Sequence, residues 1–431
     1  MKQLSIFLPL LMILTLLQGC FGGGGSAAVS TTNTVRLVNG TGSTLSMVTA
    51  GSQLATAVAP GTASANATIT SGTYPIALVA SGVPSAETNF SFSATVAYTM
   101  VAYTSDQSLH LVQFIDNEPA PLSGDGQIRI ADLSADAGNL DVYMAPVSTL
   151  SDAYSPTVAS PALQAATLLA QNISGTTLYN EMLANTYHIW VTGAGNPTDL
   201  RLDIPSIQIV NQQIVTLVLT STTSGGLVDG LLVTQQGAVQ AQKNTNARIR
   251  IAANTTANLS SATAGAGNLS LIGSSTSYNS NVGSYVLVPA GSTTITLNGS
   301  VACTPVTTPG EDMTILVTGA NVCNPPLVDD NTRPVSGYAK LRLVNGVNGG
   351  VPASLAFNGV QIASSVTFGA ASVPTLNNQG IVSSGISASL VTTPATVPLL
   401  TTATLNSQGV YSLFMLGGSG VAVTGTLIQD H

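Results

Sequence analysis

One short phrase constrains this chain more than any other feature, because it is used four times. Each copy sets an arginine between aliphatic residues at the head of an alternating run. The copies read TVRLVNGTGS at 34–43, QIRIADLSAD at 127–136, RIRIAANTTA from Arg248 and KLRLVNGVNG at 340–349. The arginines are Arg36, Arg129, Arg250 and Arg342, separated by 93, 121 and 92 residues. Solenoid repeats run to roughly 20–50 residues, so these spacings fit whole β-domains instead.

The later parts of the repeats agree as well. A hydrophobic strand pattern falls at 98–103, 214–219, 313–317 and 411–416, and a second apolar run follows at 109–115, 227–233 and 421–428. Between start and end lies a Gly-led run, such as SGTYPIALV at 71–79 or ANTYHIWV at 184–191. Alternation without helical periodicity predicts an all-β chain of about four tandem immunoglobulin-like β-sandwich domains. The expected boundaries are 35–120, 127–236, 247–330 and 339–431, joined by polar segments of which the first and last carry proline. The second repeat has an additional stretch at 148–179, with a short helix expected around 162–170.

Composition agrees with strands. Only 6% of residues are charged, against roughly 25% in ordinary soluble domains. Yet 44% are hydrophobic and the mean hydropathy is +0.38, which is the opposite of a disordered chain. Ser, Thr, Asn, Gln and Gly must therefore supply the wet surface. Ten basic residues and a net charge of −8 exclude a nucleic-acid partner and a polybasic grip on anionic lipid.

The first twenty residues, MKQLSIFLPLLMILTLLQGC, combine a basic Lys2 with an apolar core at 4–17. That core is too short to span a bilayer and fits a secretory leader. Its ending, Leu17-Gln18-Gly19-Cys20, resembles the lipobox of bacterial lipoproteins. The resemblance implies a signal peptide at 1–19 and a diacylglycerol on Cys20, with a further acyl chain on its amine. Two or more chains anchor stably, whereas one binds marginally. Phe21 stands where an aspartate would signal inner-membrane retention, so an outer-membrane location is expected, facing either periplasm or surface. The Gly-rich stretch at 20–34 then reads as a tether.

The second repeat carries a further likeness. It runs IRIADLSADAGNLDVYMAP, then ANTYHIWVTGAG, then QQIVTLVLT. This resembles the secreted bacterial domain of unknown function 4397 (DUF4397), whose repeats open on an Arg strand and continue to a D-V-Y element. Ser134, Asp136, Asp141, Val142 and Tyr143 match, and Ala135 stands where Pro is usual. The other repeats read LSMV, LSLI and SLAF at the D-V-Y position. The family implies a β-sandwich in an extracytoplasmic setting, and it implies no activity.

Candidate sites are few. Cys303 and Cys323 flank the strand pattern at 313–317, and in an exported protein they are expected to form a disulfide. A metal pair would need further ligands, and the chain has only His110, His188 and His431. Asp132, Asp136 and Asp141 form the densest acidic cluster; turn chemistry is favoured there over a calcium loop, whose spacing they do not match. No Walker loop, dinucleotide fingerprint or G-x-S-x-G elbow occurs, so neither cofactor nor enzyme is expected. The four arginines are expected to be structural, pairing first strand to last within each repeat through Asp116, Asp229, Asp330 and Asp430. The leading functional reading is a non-catalytic, lipid-anchored envelope protein of structural or interaction type, contacting an envelope protein or glycan. A carbohydrate-binding module is the alternative, weakened by 5% aromatics, and a secreted hydrolase is third.

Overall fold

The computed structural model describes residues 32–430, apart from 51, 107, 151–162, 164–165, 223–224, 273–279, 330–331, 379–382, 391–400 and 419–420. The chain is all-β, in four units of two facing sheets each, with a further two-stranded sheet, Gly291–Ser292 with Val306–Thr307, in unit three. Every unit begins with an opening strand: Thr32–Asn39, Asp125–Asp132, Asn246–Thr255 or Tyr338–Asn348. That strand pairs in parallel with a late strand: Ala97–Ser105, Ile214–Ser221, Asp312–Gly319 or Val410–Gly418. Parallel partners cannot be joined by a hairpin. The intervening chain therefore has room to build the second sheet, around Leu45–Thr49 with Gly72–Ala80 in unit one and Leu140–Pro146 with Asn185–Gly193 in unit two. The late strand then turns back antiparallel onto a closing strand, Ser108–Ile115, Val228–Thr234 and Val421–Gln429 in units one, two and four.

Each unit has its own core between its sheets. In unit one Val35, Leu37, Met47, Leu78 and Met100 meet there, and in unit four Leu341, Leu343, Leu355, Ile386 and Leu413 do so. The opening strands bury their other face too. Residues on that second face belong to clusters shared between units: Val38, Val101 and Phe114 of unit one pack on Ala131, Val218 and Leu231 of unit two. Likewise Ala252 and Leu316 of unit three pack on Val344, Phe414 and Leu416 of unit four. Units one and two thus meet sheet to sheet, and so do three and four. Units two and three meet through Leu227 and Leu287.

Two local devices recur and show how the sequence sets the fold. Tyr98 and Tyr411 lie at the start of late strands, and each hydroxyl accepts a backbone N–H five residues upstream, from Ser93 at 2.7 Å and Asn406 at 2.8 Å. This is the tyrosine-corner arrangement of immunoglobulin-like sandwiches. The strand after the Leu45, Leu140 and Ala353 strands bulges at Ala57, Asn172 and Ser365, with φ of 47°, 49° and 53°. A non-glycine residue seldom adopts that region unless held there. Ser46 Oγ and Asp141 Oδ1 accept the bulge N–H groups of Ala57 and Asn172, at 3.1 and 2.7 Å.

Three details differ from the sequence reading. The first strand begins at Thr32, inside the expected tether. The joint between units two and three contains a strand of its own, Val239–Gln242. Leu163 is helical, residues 162 and 164–165 of the expected short helix lie outside the described residues, and from Thr167 the chain is instead a strand, Thr167–Ile173, because Leu140–Pro146 offers it a partner edge. Among the described residues no helix is long and apolar enough to cross a membrane.

Candidate functional site

The chain's few charges converge on the joints between units. In all four units the arginine Nε donates to a hydroxyl directly across the parallel pair. The pairs are Arg36 to Thr99 at 2.9 Å, Arg129 to Thr216 at 2.9 Å, Arg250 to Thr314 at 2.8 Å and Arg342 to Ser412 at 2.7 Å. In three units that hydroxyl donates onward to the acid closing the same sheet: Thr99 to Asp116, Thr314 to Asp329 and Ser412 to Asp430, at 2.5–2.6 Å. Because side chains alternate along a strand, an arginine between two core aliphatics must point away from its own core. There the neighbouring unit covers it.

Between units three and four the guanidinium ends cross over. Arg250 of unit three donates to Asp430 of unit four at 2.7 Å, while Arg342 of unit four donates to Asp329 of unit three at 2.7 Å. Each arginine also lies near its own unit's acid, 3.6 Å for Arg250 to Asp329 and 3.8 Å for Arg342 to Asp430. All four side chains are 2% exposed or less. Tyr285 donates to Asp329 at 2.5 Å, and its ring lies 4.3 Å from the Arg250 guanidinium carbon. Burial pushes the Tyr285 hydroxyl well above its ordinary range, and the neighbouring Asp329 charge adds to this. For Arg250 burial acts to release the proton, but Tyr285, Asp430 and Asp329 outweigh it and hold the charge more firmly. The expected pairing of first strand with last acid thus exists as an exchange: the short bond reaches the neighbour, and the own-unit acid is reached through the hydroxyl.

The joint between units one and two is a reduced version of the same plan. Arg36 donates to two carbonyls of unit two, Thr234 O at 2.8 Å and Gly237 O. In unit two the position of the closing acid holds Gln235, whose N–H bonds Ile214 O as Asp116 N–H bonds Ala97 O. Arg129 lies near Asp116 of unit one, whose proton affinity its charge lowers, and sits between Phe114 and Tyr179, 4.6 Å from each ring centroid. Asp229, expected to pair with Arg129, instead binds Lys243 at 2.7 Å, and Asp330 lies outside the described residues.

A third joint links units two and three. Arg248 grips Asp312 through two bonds of 2.7 and 2.5 Å, and Asp312 also accepts Gly226 N–H at 3.1 Å. A side chain at Gly225, which has φ +72°, would meet the Asp312 carboxyl at 2.3 Å, so only glycine allows this approach. Arg333, from the segment entering unit four, reaches back to Asp136 of unit two at 3.0 Å.

The acidic cluster of unit two does not converge. Asp132 takes Ser134 N–H and hydroxyl, Asp136 takes Arg333 and Ser221, and Asp141 takes the N–H groups of Asn172 and Gly195. Among the described residues no group of three or more His, Cys, Asp or Glu is placed to hold a metal ion. Cys303 and Cys323 are joined by a disulfide that links the two sheets of unit three. His188 bonds Asp203 and stacks on Trp190, centroids 3.9 Å apart, while His110 stacks on Tyr103. Cys20 and His431 lie outside the described residues. The sequence reading missed Gln235, Arg248, Asp312 and Asp329. In the structure Gln235 directly follows the strand Val228–Thr234, and Asp329 directly follows a short strand Leu327–Val328 that the sequence reading did not mark.

The fold and its joints define a chain of tandem β-sandwich units locked by buried arginines. Residues 33–143 match the family model for the domain of unknown function DUF4397. The match takes in all of unit one, where the residue-level likeness was thinner, and ends in unit two at Tyr143 of the D-V-Y element. The search of curated proteins found no match. Among solved structures, the Bacillus anthracis TIE protein aligns over 91% of this chain and 68% of its own, at 9% identity and a TM-score of 0.15. The pilus adhesin SpaC from Lactobacillus rhamnosus GG aligns over 68% and 44%, at 12% identity and a TM-score of 0.13. Scores this low establish no common fold.

Proposed function

We propose that this chain is a non-catalytic protein of a bacterial envelope, anchored by lipid on Cys20, whose four units form a stiff stalk that presents surfaces to partners. The observation that carries the reading is the exchange of Arg250 and Arg342 with Asp430 and Asp329 across a joint that is also apolar. A flexible array of sandwiches would keep its charges on the surface, where each pair contributes little. Here the arginines are buried between units, so bending a joint would break their shortest carboxylate bonds, which cross it. The lipobox-like leader and polar, weakly charged surface support an envelope setting. Binding then falls to sheet edges and loops, the parts not consumed in joints.

The test is fractionation of cells of a two-membrane bacterium expressing the chain. Wild type should sediment with outer membranes and Cys20→Ala should become soluble. A Cys20→Ala protein still wholly membrane-bound would refute the anchor. Protease shaving of intact cells, read by mass spectrometry, then assigns the units to surface or periplasm.

A further inference from the structure

All four opening strands meet their antiparallel neighbour through the same irregularity beside the arginine. The residue before the arginine is paired: Val35↔Ala67, Ile128↔Asn180, Ile249↔Val286 and Leu341↔Thr375. The carbonyl after the arginine accepts an N–H from three residues back along that neighbour: Leu37 from Ser64, Ile130 from Thr177, Ile251 from Gly283 and Leu343 from Ser372. Two neighbour residues therefore oppose one arginine, which is a β-bulge. The extra residue is Ala65, Leu178, Ser284 or Val373, and the one beside the arginine is Asn66, Tyr179, Tyr285 or Pro374.

The occupants of that last position differ in size. Tyr179 stacks on Arg129 and Tyr285 on Arg250, with ring centroids 4.6 and 4.3 Å from the guanidinium carbon. Arg129 also carries the ring of Phe114, which stands across from Thr99 in the closing strand of unit one. The same ladder position in unit three is Leu327, across from Thr314. Arg342 therefore has Leu327 and Pro374 where Arg129 has Phe114 and Tyr179. There a cavity of about 370 Å³ is lined by Leu327, Val328, Arg342, Ala371, Val373 and Pro374. It opens to solvent, since Val328 and Val373 are 46% and 79% exposed. Arg36, beside Asn66, is spent instead on the carbonyls of Thr234 and Gly237.

We propose that the cavity beside Arg342 is a binding site for a phenolic ring, which lies on the guanidinium where Tyr179 lies on Arg129. The volume is at the small end for a ligand site and suits a single ring. A guanidinium is attracted to an aromatic face, and more strongly when both are desolvated. The surrounding charges already balance, Arg250 and Arg342 against Asp329 and Asp430, so a neutral ring fits better than an anion. Tyr285 shows where the polar end turns: its hydroxyl points inward to Asp329, which Thr314 also bonds. In unit four the matching pair is Ser412 and Asp430. The inference goes beyond the envelope reading and stands without the anchor.

The test titrates full-length Cys20→Ala protein with p-cresol and reads binding by saturation-transfer NMR. Saturation is expected at roughly millimolar p-cresol, the range open to a ligand of this size. The non-aromatic analogue 4-methylcyclohexanol should bind at least about tenfold more weakly, because it has no π face. Pro374→Tyr and, separately, Leu327→Phe bring the residues of the joint between units one and two into the cavity. Each should weaken p-cresol binding at least about tenfold by occupying the space. If one of them misfolds, the other still reports. Absence of saturation, equal binding of 4-methylcyclohexanol, or binding unchanged in the filled variants would each overturn the proposal. N-acetyltyrosinamide separates the sources of the ring. Binding at least as tight as that of p-cresol assigns the site to a tyrosine side chain of a partner, and binding of p-cresol alone assigns it to a free phenol. Fractionation of the Cys20→Ala protein bears only on the anchor, so the two failures are separable.

Discussion

Asp132 should destabilise unit two at neutral pH, and Asp132→Asn should relieve the cost. Three residues after the arginine, units one, two and four carry Asn39, Asp132 and Asn345. Asn39 Nδ2 donates to Val58 O at 2.9 Å and Asn345 Nδ2 to Val366 O at 2.8 Å, while their Oδ1 atoms take N–H groups of the following turn. Asp132 Oδ1 does the same with Ser134, but its buried Oδ2 has no hydrogen-bond partner. Register places Ile173 where Val58 and Val366 stand. A carboxylate has no proton to give that carbonyl. Burial raises the Asp132 carboxyl from 3.8 to about 6; the Ser134 bonds oppose the rise and Asp136 adds to it.

The sign follows from linkage. The folded state holds this proton more tightly than the unfolded chain, so the site carries no penalty below about pH 4 and accumulates one as pH rises through 6. The span from 3.8 to about 6 corresponds to roughly 3 kcal/mol at pH 7. Trp190, the only tryptophan, is buried in unit two, so its fluorescence reports unfolding of that unit. Urea denaturation should show Asp132→Asn more stable than wild type by about 1–3 kcal/mol at pH 7. The difference should shrink towards zero near pH 4. A difference that is negative, or that does not change with pH, would refute the reasoning.

Two further outcomes follow from the joints and the disulfide. Arg250→Met should cost about 3–5 kcal/mol in denaturant unfolding, since it takes from buried Asp430 its 2.7 Å partner and leaves only the more distant Arg342 at 3.8 Å. Arg250→Met with Asp430→Leu should recover much of that loss, and additive single effects in the double-mutant cycle would refute the coupling. Cys303→Ser with Cys323→Ser frees a 20-residue separation and should lower the stability of unit three by about 3 kcal/mol. Wild-type thermal unfolding that is unchanged by reductant would contradict this.

Much of the architecture is legible along the chain. Val35 and Leu37, or Ile249 and Ile251, alternate as a strand with one core face requires, and repetition at domain spacing shows that the strand opens a unit. What could not be read was the occupant of the other face. Val38 and Val344 look like ordinary strand residues, and only the packed units show that they are interface. The acid partner of Arg129 was misassigned for the same reason. Asp229 is near its arginine in repeat numbering, yet it lies on the closing strand and bonds Lys243. Gln235, one residue past that strand, occupies the place that Asp116, Asp329 and Asp430 hold elsewhere. A one-residue shift moves a strand side chain to the opposite face, so approximate alignment cannot assign such partners.

By itself the sequence determined that the chain is β, that it repeats, and that each repeat opens on an arginine strand, because period-two alternation is a local property. Tertiary structure alone decided which unit each arginine serves. Arg250 and Arg342 each find an acid of their own unit within 4 Å, yet their shortest carboxylate bonds run to the other's. That choice depends on two outer sheet faces meeting, and no local pattern in either repeat encodes the meeting.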